Sequence, residues 1–222
     1  MLKSVPVVAT VLVTAGLLVS PGVGADPQSC PAVCDQIPDT AWIAAGDIPL
    51  AATHRWPALA AVAVAETGAP APLRVEELCR RPAETGGPRR YAVAARATVA
   101  RPDRQWQLQA QILHWRGETW RGGQLATEVF NAAVAVLRGC QRAAPDQSPS
   151  VTVDEPGRVA AAIAGPVLAH TYLVVHPQSS TLSALTLWST APARPAWPPL
   201  DDGVVLDALF SPLCAAYLGS CG

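Results

Sequence analysis

Lysine is all but missing from this chain. Lys3 is the only one in 222 residues, and charged residues of every kind make up 15%. The formal net charge is −1. Such a balance supplies neither an electropositive footprint for nucleic acid nor a polybasic segment for anionic lipid, so no nucleic-acid partner is expected. Phenylalanine and tyrosine are also scarce, two and three against seven tryptophans. After the N-terminal stretch no apolar run is long and unbroken enough to cross a bilayer. Ala58–Ala65 and Val167–Val175 have only the length of strands. No stable membrane anchor is expected.

The familiar reaction motifs are missing too. There is no G-x-S-x-G elbow, H-E-x-x-H helix, P-loop or G-x-G-x-x-G after a strand. No C-x-x-C pair occurs and no histidine sits near a cysteine in sequence, which argues against a metal centre. His170 and His176 fall on one face of one strand, about 20 Å apart, too far to share an ion. No metal or other cofactor is expected. A triad needs no local motif, so one enzymatic alternative stays open: a secreted hydrolase using His54, His114 or His170 with a carboxylate or Ser180. His114, beside Trp115 at a strand end, reads better as a hydrogen-bonded structural histidine.

What is present begins with an address. Met1-Leu2-Lys3 is a short positive start, Val5–Val19 is mostly apolar, and Val23-Gly24-Ala25 is a small-residue cleavage site. Residues 1–25 are expected to be a cleaved secretory signal peptide, leaving 26–222 as a single exported domain. No cysteine follows the cleavage site directly, which argues against a lipid anchor. The roughly 197 residues that remain are enough to bury one core.

All six cysteines lie in that exported part: Cys30, Cys34, Cys79, Cys140, Cys214 and Cys221. An even number in an oxidising compartment points to disulfides, and six allow fifteen pairings. One arrangement joins the termini through Cys30 and Cys34 to Cys214 and Cys221 and ties Cys79 to Cys140.

Tyr91–Cys140 carries the clearest periodicity. Trp106, Leu108, Ala110 and Ile112 alternate with Gln107, Gln109 and Gln111, a period of two that gives a strand one dry and one wet face. Tyr91–Val99 alternates less cleanly before it, and Arg101-Pro102-Asp103-Arg104 supplies turn residues. Residues 91–115 therefore read as an antiparallel hairpin. Gly122 and Gly123 then break the chain. From Gln124 the apolar positions shift to Leu125, Val129, Ala133, Leu137 and Cys140, the three-and-four spacing of a helix, which is expected to bury its stripe on the dry face of the hairpin.

Elsewhere the signals are shorter. Asp39 suits a helix cap, and Trp42 and Ile43 are expected to anchor the N-terminal segment. Ala58–Glu66 reads as a buried strand and Arg74–Cys79 as one or two helical turns. Arg80–Arg90 reads as an exposed loop. After Cys140, Ser150–Asp154, Arg158–Ile163, Val167–His176 and Thr181–Ser189 are strand-length runs separated by Pro/Gly/Ser turns, the pattern of an antiparallel meander. Val151 and Val153 are expected on one face. Ala191–Pro199 is proline-rich and wraps the surface. Asp201 and Asp202 suit the cap of a last helix, which Pro212 should end or kink.

The excess of tryptophan is the main hint of a site. Trp106, Trp115, Trp120 and Trp188, with His114 nearby, are the candidates to line a groove between sheet and long helix, the alternative being that they are core and rim packing residues of a small disulfide-stapled domain. Tryptophan pairs a large apolar face with one donor, which suits glycan or lipid contact.

The order strand–strand–helix–strands–helix is similar in outline to the extracellular sensor domain of mycobacterial receptor serine/threonine kinases. The features that carry it are the helix ending Leu137-Arg138-Gly139-Cys140, then Val151-Thr152-Val153 and Leu173-Val174-Val175, within Tyr91–Gly222. The arginine-for-lysine composition, rich in alanine, valine and proline, suits a GC-rich actinobacterial genome. The resemblance implies a cleft for an unidentified ligand and carries over no catalytic residue. The expectation is an α+β fold: an antiparallel sheet, one long helix packed on it, a C-terminal helix and disulfide bridges. Its expected role is a secreted, non-enzymatic binding protein of the cell envelope or medium. The partner would be a small apolar or glycan ligand or an envelope protein.

Overall fold

The computed structural model describes residues 36–68, 70–81 and 87–217. The expected signal peptide and Cys30, Cys34 and Cys221 lie outside the described residues.

Seven strands form one antiparallel sheet: β1 (Ala63–Glu66), β2 (Ala92–Val99), β3 (Gln107–Trp115), β4 (Ser148–Glu155), β5 (Arg158–Ala164), β6 (Val167–His176) and β7 (Thr181–Thr190). Their spatial order is β1-β2-β3-β7-β6-β5-β4. The chain lays down one meander, crosses the sheet through the long helix α4 (Thr119–Ala143), starts again at the far edge and returns until β7 closes on β3. Gly157, at φ 77°, makes the turn between β4 and β5, a backbone region that only glycine enters without strain. The fold is α+β, as expected.

Period-two alternation sends successive side chains to opposite faces, and here both faces are covered. Leu113 and Trp115 of β3 pack under α4 with Leu173, Val175, Leu182 and Trp188. Leu108, Ala110 and Ile112 of the same strand pack the other way, with Tyr172, Val174, Leu185 and Leu187. The C-terminal helix α5 (Asp202–Ala216) covers that second face through Val205, Leu206, Leu209 and Leu213. The N-terminal segment adds Trp42, Ile43 and Ile48, all buried.

This overturns the expected docking of the long helix. The hairpin's dry face carries α5, and its glutamine face carries the α4 side of the molecule. Gln111 is fully buried and its amide NH2 donates to Glu66 and to the Ala71 carbonyl, so the donor end of a residue that reads as wet is taken up by the chain in place of water, while its amide oxygen is buried without a partner. The helical stripe itself is as expected: Val129, Ala133, Leu137 and Cys140 are all buried. Each Leu or Val buried this way is worth about 1.5–3 kcal/mol. A disulfide from Cys140 to Cys79 ties α4 to the end of α3 (Arg74–Leu78), with Cα atoms 4.7 Å apart. Cys214 is also disulfide-bonded, and its partner lies outside the described residues.

Further differences have local causes. Gly122 and Gly123 do not break the chain; they lie inside α4, which starts before them. Ala58–Glu66 is not one buried strand. It follows the short helix α1 (Ala51–His54) and is a single helical turn, α2 (Leu59–Val62), then the edge strand β1, where Val64 is 69% exposed. The register of β4 shifts between Val151 and Val153, so the two are not equivalent: Val151 is 41% exposed while Val153 packs on the α5-side core. Pro212 lies within α5, which continues to Ala216, because Leu209 and Leu213 are held on both sides of it by packing. Asp39 opens a 3-10 turn without capping it. Asp201 is the cap of α5, accepting from the Gly203 N–H at 2.9 Å. Asp202 instead accepts from the Tyr172 hydroxyl at 2.7 Å. The proline-rich stretch crosses the α5 side, where the Trp106 indole N–H donates to the Pro195 carbonyl at 2.8 Å.

Candidate functional site

The expected four-tryptophan groove does not form, because strand parity and depth separate its members. Trp106 is fully buried on the α5 side, against Trp197 and His170. Trp115 and Trp188 are buried on the α4 side. The Trp115 N–H is spent on the Pro88 carbonyl at 2.9 Å, and the Arg74 guanidinium sits 4.4 Å over the Trp188 ring. His114 faces α5, stacked on Tyr217 at 4.3 Å with Nδ1 3.0 Å from the Thr181 hydroxyl. Only Trp120 opens to solvent, with 63% of its surface exposed.

Trp120 stands at one end of a groove of about 740 Å³ between α4 and the turn after β6. The groove is made by a close approach. A Cβ on Gly122 would sit 2.4 Å from Ser180 Oγ, and one on Gly123 would sit 2.6 Å from the Pro177 carbonyl oxygen. Real Cβ atoms do not come that close, so only glycine lets the first turns of the helix lie on the 177–180 turn. Ser180 adopts a left-handed conformation at φ 53° and donates its hydroxyl to the Thr119 carbonyl at 3.1 Å. Both walls are thereby fixed relative to each other.

One stripe of α4 forms the long wall. Trp120, Gln124, Thr127, Glu128 and Asn131 follow three-and-four spacing along about 16 Å of helix. Pro177 and Gln178 form the opposite wall. The Trp120 N–H donates to the Glu118 carboxylate at 2.7 Å, which fixes the ring and leaves a face free. Thr127 donates to the Gly123 carbonyl at 2.8 Å. Among the described residues, no partner engages the side chains of Gln124, Glu128, Asn131 or Gln178. Sequence reasoning missed these four. For Gln124, Glu128 and Asn131 the signal was a polar stripe at three-and-four spacing running on from Trp120, on the helix face opposite the apolar one; Gln178, in the turn after β6, gave none.

The residues named for hydrolysis do not assemble. Ser180 spends its hydroxyl on Thr119. His54 stacks on Trp56 at 4.7 Å and His170 on Trp197 at 3.7 Å. Burial holds His114 and His170 down to about 4, opposed for His170 by the Asp202 carboxylate. A serine–histidine contact does occur elsewhere, between Ser179 Oγ and His176 Nδ1 at 2.8 Å. Both residues are buried, and His176 also accepts from the Ser179 N–H at 3.1 Å. That is the cap of a tight turn, and neither side chain lines the groove. Among the described residues no three His, Cys, Asp or Glu side chains gather to hold a metal ion. No protein-family model and no curated protein matches this chain.

Proposed function

We propose that this chain is an exported, non-enzymatic binding protein of the cell envelope or extracellular medium, and that it holds its ligand in the groove headed by Trp120. One observation carries the reading: a large indole, 63% exposed and fixed by Glu118, stands over a preformed groove with four unengaged polar side chains. A ligand site is a concavity in which an apolar surface sits beside a few placed polar groups. A buried disulfide and a leader-like N-terminus suit export. No helix among the described residues is long and apolar enough to cross a membrane. The chain reads as a relative of the extracellular sensor domains of mycobacterial receptor kinases, carrying the binding half of that arrangement.

The test is native mass spectrometry of the protein purified from the medium of an actinobacterial culture, alongside Trp120→Ala. The expected result is a mature mass beginning near Asp26 with a bound adduct that the variant loses. An adduct retained by the variant, or none in either protein, overturns the reading.

A further inference from the structure

We infer that the Trp120 groove takes a neutral oligosaccharide, an inference that rests on the binding reading above and names its ligand class. Three features of the lining select that chemistry. The first is the ring. A fixed, exposed indole offers a flat apolar face, and the C–H faces of a sugar ring are the apolar surface that a carbohydrate presents to it.

The second is the kind of polar group. Gln124, Asn131 and Gln178 each carry donor and acceptor on one amide, and Glu128 accepts at two oxygens. Amides and carboxylates of this sort match vicinal hydroxyls, each of which both donates and accepts. An alkyl ligand could use the apolar part of the lining but would leave these four exposed side chains to water and gain nothing from them. The third is charge. No arginine or lysine lines the groove and Glu128 does, with Glu118 beside the indole. A phosphate, sulfate or carboxylate ligand would meet acceptors and no cation.

The shape agrees. The polar stripe extends from Trp120 to Asn131, and the opposite wall is held by the glycine contacts at Pro177 and Ser180. A long open trough with rigid walls accepts several linked units without closing over them, and a preformed site lowers the entropy lost on binding.

The experiment is titration of the mature protein, followed by calorimetry and tryptophan fluorescence. The neutral probes are linear hexasaccharides: maltohexaose, cellohexaose, chitohexaose and mannohexaose. The counter-probes are a heparin hexasaccharide, palmitate and spermine. At least one neutral probe is expected to bind, with affinity unchanged within about twofold from about 50 to about 500 mM salt. Trp120→Ala is expected to weaken that binding about 30-fold, while Glu128→Gln, which keeps an acceptor, stays within about fivefold. Trp120 is exposed, so its variant should unfold at the wild-type temperature, which is measured in parallel. Failure of every neutral probe to bind overturns the inference, as does saccharide binding that survives Trp120→Ala. Palmitate or spermine binding lost on Trp120→Ala would overturn it and leave the groove as a ligand site. Absence of any binding, together with no native adduct, removes both.

Discussion

The two faces of the sheet are covered by different means. On one, a single long helix lays a regular apolar stripe along the strands and is pinned by Cys79–Cys140. On the other, the cover is assembled from distant pieces: the segment from Ile37 to Leu59, the proline-rich stretch and α5. All four histidines belong to this second face, stacked on Trp56, Tyr217 and Trp197 or set edge-on to Phe210. The α4 face is therefore the continuous one, and it ends in the groove; α5 carries a cross-link of its own through Cys214. The α5 face is a mosaic that rests on a few large rings.

Breaking the mosaic at its largest ring should have the largest effect. Trp106→Ala removes a fully buried indole and leaves Pro195 without its donor, at about 3–5 kcal/mol, read as a lower midpoint in urea. Exchange protection should fall first in α5 and the 191–200 stretch. Retained protection there, with loss in α4, would reverse the contrast between the faces.

The cross-link comes next. Cys79→Ala with Cys140→Ala should cost about 2–4 kcal/mol, and the loss should be concentrated at α3 and the C-terminal turns of α4. Within that helix, glycines sharpen the contrast at single-atom scale. Gly123→Ala pushes a methyl into the Pro177 carbonyl and should cost about 1–3 kcal/mol. Gly139 has only a flexible Arg142 nitrogen at 3.9 Å, so Gly139→Ala should stabilise, by up to about 1 kcal/mol. Equal effects at the two positions would remove the claim that the groove depends on close approach.

Acid should act on the α5 face first. Burial depresses His114 and His170 to about 4 from 6.5. An unfolded chain thus binds more protons than the folded one between those values. Stability is complete above about 6.5 and declines as pH falls towards 4. The expected loss is on the order of 1 kcal/mol, allowing for the partial exposure of both rings. Hydrogen exchange compared at pH 7 and pH 4.5 should show the α5 side loosening before the α4 side. Equal loosening of both faces would count against the assignment.

The resolution of the site in the sequence follows the same division. Trp120 stood out with the other tryptophans because the composition is so uneven. Its separation from Trp106, Trp115 and Trp188 did not, because indoles look alike until burial and strand parity sort them. The polar residues of the groove were hidden for a different reason. A solvent-facing helical stripe has the same pattern whether or not a turn lies across it, and the turn that begins at Pro177 lies 46 to 53 residues further along the chain than Asn131, Glu128 and Gln124.

Local physics determined a good deal. The 2-residue and 3.6-residue periods placed β3, the meander and the apolar stripe of α4, since those repeats follow from backbone geometry alone. Asp201 was readable as a cap for the same reason. Tertiary structure alone decided which face of β3 each helix would cover, because a strand with apolar residues on one side and glutamines on the other can bury both once Glu66 and Ala71 accept from the Gln111 amide NH2. It also decided what Gly122 and Gly123 are for. In sequence a glycine pair signals a break; in the fold the missing Cβ atoms let α4 rest on the Pro177–Ser180 turn, and that contact sets the two walls of the groove.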